Sequence, residues 1–401
     1  MVRRPAERSS FRCSCSSEHA FLRGDPLNMA ANGSEDRRYM MLALRLAAKG
    51  RGTTSPNPMV GAVVVNRGRI VGRGYHRRPG LPHAEVLALR QAGMRSRGST
   101  LYVTLEPCCH RNKRTPPCIP AILDAGIKRV VIAQRDPNPL VNGRGVAALR
   151  RAGRRVTIGI LRREAEALNE TYRHWVKTRR PFVILKAGMT LDGQIATSSG
   201  EAKWITSRAS RRDAHQLRAE VEAILIGSGT VRSDDPSLTA RTGPRLVRLA
   251  KKQPLRVVVD TRLRTPANAK ILRTAGGAKT LMATTRKAPA ARRLALQRRG
   301  IDVVVLPLVR GRVSLSALME ELGKRAITSL LVEGGAEINA AMLRAKLVNR
   351  VRLYVAPSLL GGSDARGVIG GQSPNRLAAA LRLKHVRTRS LGGDLVVEGD
   401  L

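Results

Sequence analysis

The stretch Leu81–Cys118 constrains this chain more than any other, because it groups residues that can bind a metal. His83 follows a proline near its start, and Cys108 and Cys118 come later. One imidazole and two thiolates supply three ligands to zinc and leave the fourth tetrahedral position for water, as in catalytic sites. Glu85 lies two residues after His83, where its carboxylate can move a proton for that water. The stretch therefore predicts a catalytic zinc site.

The order of these residues matters more than any one of them. A single histidine at a helix start is more often a cap, and a single cysteine is more often a small hydrophobe. Together, H-x-E followed by P-C and a later Cys form the signature of zinc-dependent base deaminases. Pro107 before Cys108 is also consistent with a helix N-terminus, which would favour a thiolate.

Two other side chains compete for the third ligand position. Cys108 and Cys118 are ten residues apart, whereas the usual signature places the second Cys three residues after the first. The gap contains Cys109 and His110. On a helix, Cys109 would point about 100° away from Cys108. His110 begins a basic run suited to contacting an anion, and Cys118 opens an apolar run, so we expect Cys118 to be the ligand.

Length and cysteine content limit the fold classes. With 401 residues the chain can form two ordinary domains. Three of its five cysteines lie in the metal-binding stretch, which argues against a disulfide scaffold and for a reducing, cytoplasmic location. No run approaches the roughly 18 apolar residues of a membrane span, so we expect no membrane partner.

Residues 1–34 form an Arg- and Ser-rich extension without the apolar core of a secretory signal. The extension is equally consistent with a transit peptide and with an upstream segment that has no function. Cys13 and Cys15 lie in it, and we do not expect them to bind metal.

The formal net charge of +44 raises the question of a nucleic-acid partner. The basic residues are scattered along the chain instead of forming one stripe. Aromatic residues make up only 2% of it, too few for a base-stacking platform. We therefore do not expect nucleic acid as a main partner, and we attribute part of the charge to phosphorylated small-molecule ligands.

Residues 35–160 alternate between predicted strands and helices. Helices are predicted at 40–49, after His83, at 119–125 and at 146–152, and strands at 62–65, 70–72, 101–105, 130–133 and 156–158. This alternation predicts a layered α/β sheet, with the metal-binding segments at one end of it.

A connecting helix is predicted at 161–180, with Tyr172 and Trp175 packed at the junction, followed by a second α/β domain over 181–401. Its strands are predicted at 182–186, 223–226, 256–260, 280–284, 302–306 and 329–332, its helices at 210–219 and 336–347, and a polar loop at 232–241. Glycine-rich turns at Gly227–Thr230 and Glu333–Gly335 are generic anion cradles. No strict GxGxxG follows a strand, so the ordinary Rossmann dinucleotide-binding fingerprint is absent.

Ordered motifs in both halves resemble the family of bifunctional riboflavin-biosynthesis deaminase–reductases. In the first half they are Pro56–Gly61, Gly74–His76, Pro82–Glu85, Thr104–Cys108, Arg114–Cys118 and Asp136–Pro139. In the second half they are Leu191–Gly193, Trp204–Ser207, Gly227–Thr230, Asp234–Pro236 and Val332–Gly335. The resemblance runs from about Tyr39 to the C-terminus and implies that the long Cys108–Cys118 gap is normal for this family. It also implies a cytidine-deaminase-like three-layer α/β/α domain followed by a dihydrofolate-reductase-like α/β domain.

The resemblance also implies binding residues. In the first half, Asn57 and His76 would hold the pyrimidine, and Lys113 or Arg114 would approach the ribose phosphate. The second half would bind NADPH through Gly188, Trp204, Thr206, Thr230, Asp234, Thr261 and Gly335. The reductase substrate would meet Ala202, Arg218, Leu238, Arg241 and Glu333, with the two arginines suited to its phosphate. Ala202 stands where the family commonly has Ser. Lys186 either contacts the reacting ribose or is an exposed charge at a strand end.

The sequence therefore predicts an enzyme with two active sites. At the first, zinc and Glu85 would remove an amine from a phosphorylated diaminopyrimidinone; at the second, NADPH would reduce the ribosyl group to a ribityl chain. Two alternatives remain at this point. A nucleic-acid-editing deaminase would share the zinc site but leave the second half unexplained, and a non-catalytic zinc module would not need Glu85. The sequence leaves the oligomeric state open.

Overall fold

The computed structural model describes residues 35–110, 115–241, 253–273 and 277–401. The extension 1–34, with Cys13 and Cys15, lies outside the described residues. So do Lys113 and Arg114, the residues that the resemblance places near a ribose phosphate.

Within the described residues, the first half forms a five-stranded mixed sheet with the spatial order β2-β1-β3-β4-β5. The strands are β1 (Gly61–Asn66), β2 (Arg69–Tyr75), β3 (Thr100–Val103), β4 (Arg129–Ile132) and β5 (Arg155–Ile158). The helices are α1 (Glu35–Ala47), α2 (Ala84–Ala92), α3 (Cys118–Asp124) and α4 (Arg144–Arg151). β1 pairs antiparallel with β2 and β3, and β3, β4 and β5 run parallel.

Alternate side chains of β1 enter two separate cores, because successive residues of a strand face opposite sides of the sheet. Ala62 and Val64 pack in the core shared with α2, α3 and α4. Val63 and Val65 pack with α1 on the other face. This arrangement confirms the predicted α/β/α layering.

Gly74 lets α2 lie directly against β2. A Cβ at this position would be 2.2 Å from the carbonyl oxygen of Ala84, far inside van der Waals contact. Ala84 begins α2, so this close approach fixes the start of the helix, and with it the preceding residue His83.

The connecting segment is helical, as expected, but it forms two helices, α5 (Arg162–Leu168) and α6 (Glu170–Thr178). The break lies at the buried Asn169. Its Oδ1 accepts from the main-chain N–H of Met59 at 2.7 Å, and its Nδ2 donates to the Met59 carbonyl oxygen at 2.9 Å. The predicted single helix is interrupted because this amide binds another segment's main chain.

Tyr172 and Trp175 join α6 to different halves. The Tyr172 hydroxyl donates to Asp136 Oδ1 at 2.9 Å in the first half. Trp175 Nε1 donates to the carbonyl oxygen of Gly323 at 3.1 Å in the second half. Their expected packing at the junction is confirmed.

The second half is built on a nine-stranded sheet within the described residues, with the order β11-β10-β9-β8-β14-β6-β15-β18-β17. Its strands are β6 (Phe182–Met189), β8 (Ala223–Gly227), β9 (Leu255–Val259), β10 (Thr280–Thr284), β11 (Asp302–Val305), β14 (Ser329–Val332), β15 (Arg350–Val355), β17 (Lys384–Leu391) and β18 (Asp394–Asp400). Short pairs form from β7 (Gln194–Ala196) with β16 (Arg366–Gly367), and from β12 (Leu308–Val309) with β13 (Arg312–Val313). The helices are α7 (Arg208–Glu220), α8 (Ser228–Asp234), α9 (Ala290–Arg298), α10 (Leu315–Lys324) and α11 (Ala336–Arg344).

The main sheet is parallel from β11 to β15, and β18 and β17 complete it antiparallel. The predicted strands of this half are all present. Strands β7, β12, β13, β15, β16, β17 and β18 and helices α9 and α10 have no counterpart among the predicted elements. Residues 232–234, predicted as part of a loop, belong to α8. None of the described helices has the length and apolar character that crossing a membrane requires.

Candidate active sites in the two halves

Three predicted ligand atoms converge in the first half. His83 Nδ1 lies 3.2 Å from Cys118 Sγ and 3.5 Å from Cys108 Sγ, and the two sulfur atoms are 3.5 Å apart. Donors at zinc bond lengths of about 2.1 Å for nitrogen and 2.3 Å for sulfur, in tetrahedral geometry, are separated by about 3.6 Å. The cluster therefore fits one zinc ion. Among the described residues it comprises these three side chains and neither of the rival ligands Cys109 and His110.

Each ligand is placed by a different piece of backbone. His83 is the N-cap of α2, and Cys118 is the first residue of α3. Cys108 lies in the loop after β3, and its carbonyl oxygen accepts from the main-chain N–H of Cys118 at 3.1 Å. The expected helix start at Pro107 is therefore wrong. The helix begins at Cys118, eleven residues later, and the chain before Cys108 is held by the buried carboxylate of Glu106.

Glu106 is a positioning group whose role the sequence did not reveal. Its carboxylate accepts from the main-chain N–H groups of Asp136 at 3.3 Å, Gly143 at 3.0 Å and Val146 at 3.0 Å. These contacts fix the residue two before Cys108 to the start of α4.

Glu85 lies in the first turn of α2 and is only 3% exposed. Burial, the largest influence, raises the pKa of its carboxyl above the ordinary value, while the charge of His83 opposes the rise. A hydrogen bond with Cys118 also opposes the rise of this pKa. The carboxyl group is thus next to the ligand cluster in a dry environment, which suits proton transfer.

Asn57 and His76, the expected pyrimidine-binding pair, are brought to the same place. Asn57 Nδ2 and His76 Nε2 are 3.0 Å apart. The His76 ring lies edge-on to His83, with ring centroids 5.2 Å apart. Burial, followed by the nearby His83, lowers the pKa of His76, so its imidazole stays neutral at neutral pH and can hydrogen-bond a ligand.

The ring of His83 has a second partner. Nδ1 faces the two sulfur atoms, while Nε2 lies 3.1 Å from Thr115 Oγ1. Metal-binding histidines commonly donate their other N–H to such a group, which fixes the tautomer and the ring orientation.

The second half contains a cleft of about 1470 Å³ at the carboxyl ends of the parallel strands, the usual ligand position in such sheets. Most of the predicted cofactor and substrate residues line it: Gly188, Ala202, Trp204, Thr206, Arg218, Thr230, Asp234, Arg241, Thr261, Glu333 and Gly335. Leu238 does not; it is 5% exposed and packs in the core beneath. Lys186 lines the cleft, so it is not an exposed strand-end charge.

Glu333, directly after β14, organises a cluster of charged side chains in the cleft. Its carboxylate accepts from Arg218 Nε at 2.6 Å and Nη2 at 2.7 Å, and Lys186 Nζ lies 3.8 Å away. Burial alone would raise the pKa of Glu333, but the charges of Arg218 and Lys186 hold it at about 2. Burial also lowers the pKa of Lys186, against the opposing charge of Glu333.

The cleft as a whole fits an anionic cofactor and substrate. Nine basic side chains line it against three acidic ones. Gly334 and Gly335 precede α11, and the Gly335 N–H donates to Thr230 Oγ1 at 3.2 Å, which joins the two predicted cradles. Arg211 and His215 are among the lining residues on α7 that sequence reasoning missed. The guanidinium of Arg211 lies 4.5 Å over the Trp204 ring.

Comparisons with known proteins agree with both halves. The family model "Cytidine and deoxycytidylate deaminase zinc-binding region" matches residues 33–134, and "RibD C-terminal domain" matches residues 181–397. Riboflavin biosynthesis protein RibD of Actinobacillus pleuropneumoniae is 43% identical over 90% of this chain and 94% of its own. The Escherichia coli protein of the same name is 44% identical over 90% and 98%.

Solved structures extend the likeness to the fold. Acinetobacter baumannii RibD has a TM-score of 0.83 at 38% identity, covering 92% of this chain and 99% of its own. A Thermotoga maritima deaminase/reductase has a TM-score of 0.79 at 34% identity, covering 91% and 98%. Fold, site and relatives thus define a two-domain enzyme, a zinc-binding deaminase joined to a reductase. The chain belongs to the RibD family of bifunctional riboflavin-biosynthesis enzymes. The expected fold class and bifunctional activity are confirmed, and a deaminase acting on nucleic acid would not account for the second half.

Proposed function

We propose that the two halves act in succession on one phosphorylated pyrimidine. The first would deaminate 2,5-diamino-6-(5-phosphoribosylamino)pyrimidin-4(3H)-one by hydrolysis. The second would reduce the ribosyl group of the product, 5-amino-6-(5-phosphoribosylamino)uracil, to a ribityl chain. The Thermotoga maritima relative is named for these activities, as diaminohydroxyphosphoribosylaminopyrimidine deaminase and 5-amino-6-(5-phosphoribosylamino)uracil reductase.

One observation carries the deaminase proposal: three ligand atoms within 3.5 Å of one another beside a buried carboxylate. His83, Cys108 and Cys118 would hold zinc, which supplies a water molecule activated for attack. Glu85 would take the proton from the attacking water and deliver it to the departing amine. Asn57 and His76 would hold the pyrimidine ring in place.

The reductase proposal rests on the basic cleft. NADPH bound there supplies the hydride. Gly188, Trp204, Thr206, Thr230, Asp234, Thr261 and Gly335 would hold the cofactor. Arg218 and Arg241 would meet the substrate phosphate, and Glu333 would hold Arg218 and Lys186 in place. Ala202 offers no side-chain hydrogen bond. Phosphorylated small molecules, and not nucleic acid, are the partners that we propose, and a cytoplasmic location remains a prediction.

Replacing Glu85 by Gln tests the first half. Because the amide cannot accept the proton, we expect ammonia release to fall by roughly a hundredfold or more. The zinc content, and NADPH oxidation with the already deaminated substrate, should be unchanged. Glu35→Gln, an exposed first-turn glutamate in the same half, is the matched control. Undiminished ammonia release from Glu85→Gln would contradict the assigned role.

A further inference from the structure

His215 is a cleft residue that the sequence motifs did not single out. It lies on α7, and its Nδ1 accepts the main-chain N–H of Arg241 at 3.2 Å. A second contact from the same helix holds the same segment: Arg218 Nη1 donates to the carbonyl oxygen of Thr239 at 3.4 Å. The two contacts fasten residues 239–241 to α7 at the mouth of the cleft.

Nδ1 can accept this bond only while the imidazole is neutral. Burial is the largest influence on His215, and the charges of Arg218 and Arg241 add to it. Together they lower its pKa to about 4, against the opposing charge of Glu333 and a hydrogen bond with the Thr239 main chain. The ring is therefore neutral at neutral pH, and the contact with the Arg241 main chain persists there.

The side chain of Arg241 needs such support. The residue is exposed, and none of the described carboxylates forms an ion pair with it. Its guanidinium is thus available to an external anion, but its direction depends on how firmly the main chain is held.

We propose that His215 is a positioning residue for reductase substrate binding, which holds the main chain of Arg241 so that the guanidinium meets the substrate phosphate. This inference rests on the proposed reductase function. His215 touches neither the substrate nor the cofactor in this role; it acts through Arg241.

The test compares His215→Ala, His215→Asn and His215→Gln by NADPH oxidation with 5-amino-6-(5-phosphoribosylamino)uracil. The oxygen of Asn lies near the position of Nδ1, whereas that of Gln lies near Nε2. We expect His215→Ala and His215→Gln to raise KM about twofold to tenfold, the worth of one hydrogen bond, with little change in kcat. His215→Asn should restore a KM close to that of the wild type.

A double-mutant cycle distinguishes positioning from direct contact. Arg241→Ala should raise KM by itself, and adding His215→Ala to it should change nothing further. His385→Ala, at an exposed histidine on β17, is the matched control. Far-UV circular dichroism reports folding of each variant, and ammonia release shows that the first half is intact. If His215→Ala does not fold, the contrast between Asn and Gln decides.

An unchanged KM in His215→Ala, additive effects in the cycle, or equal KM values for Asn and Gln would each overturn the inference. Absence of NADPH oxidation by the wild type would instead overturn the proposed reductase function. The two failures are therefore distinct.

Discussion

The carboxylate of Glu106 accepts N–H groups from three residues that lie 30, 37 and 40 positions further along the chain. A carboxylate with several backbone donors can remain buried, because its lone pairs are satisfied. Its position two residues before Cys108 makes it part of the support for the metal ligands. The sequence shows Glu-Pro-Cys as a motif, but it does not show which N–H groups the side chain will meet.

At the scale of single residues, we predict that Thr115 supports zinc binding by His83. With Nδ1 of His83 bound to zinc, the ring proton would lie on Nε2, where Thr115 Oγ1 would accept it at 3.1 Å. Thr115→Val removes this acceptor at nearly constant volume. We expect zinc affinity to fall about tenfold to a hundredfold, measured by competition with a chromophoric chelator.

Thr115→Ser keeps the hydroxyl and serves as the control for this substitution. We expect its zinc affinity to stay near that of the wild type. A valine variant that holds zinc as tightly as the serine variant would remove Thr115 from the metal site.

Residue identity alone was enough to predict much of the first site, but less of the second. His83, Glu85, Cys108 and Cys118 belong to a chemical pattern with few other uses, so their grouping was predictable. Leu238 was expected at the substrate, and its apolar side chain lies in the core, where burial stabilises it. His215 was missed because its meaning depends on a main-chain N–H 26 residues away.

At the scale of elements, the connecting segment depends on Asn169. Both polar groups of its amide bind the main chain of Met59, two residues after Asn57 in the loop that leads to β1. The contact therefore links the α5–α6 break to the loop that carries a proposed substrate residue.

Asn169→Ala should destabilise the protein by about 2 to 4 kcal/mol, because it leaves the N–H and C=O of Met59 without their partner. A lower midpoint of denaturant unfolding, measured with and without zinc, would check this. Asn142→Ala, at an exposed position on the loop before α4, should stay within about 0.5 kcal/mol of the wild type. Equal midpoints for the two variants would show that the contact adds nothing.

Central strands were predictable because β-branched runs such as Val63–Val65 and Val257–Val259 are fully or largely buried. The edge strand β17 was not. Its sequence is mostly polar and basic, and nearly all of it is exposed, so no apolar alternation marks it. It is a strand because it pairs with β18, a tertiary contact that its local composition does not indicate.

At the scale of the whole molecule, the net charge of +44 acts together with the local excess of basic residues in the cleft. Such a field raises the local concentration of anionic ligands and is screened by salt. The basic residues are scattered along the sequence, and nine of them line the cleft of the second half.

Salt should therefore weaken substrate binding by the reductase half. Raising KCl from roughly 0.05 M to roughly 0.5 M shortens the screening length about threefold. We expect the KM values for NADPH and for the phosphorylated pyrimidine to rise several-fold in steady-state assays, with a smaller change in kcat. Sucrose at matched osmolality is the control. KM values that do not vary with KCl would show that the field has no part in binding.

The contacts of α6 bear on how this enzyme can be divided. Tyr172 ties the helix to Asp136 and Asn169 ties the preceding break to Met59, both in the metal-binding half, whereas Glu170 accepts two hydrogen bonds from Arg350 of the second half. A two-gene version should be cut between Thr178 and Phe182, after the connector, so that both anchors stay with one product. The hydrogen bond from the Trp175 indole to the carbonyl of Gly323, and the ion pair of Glu170 with Arg350, would then be contacts between separate polypeptides.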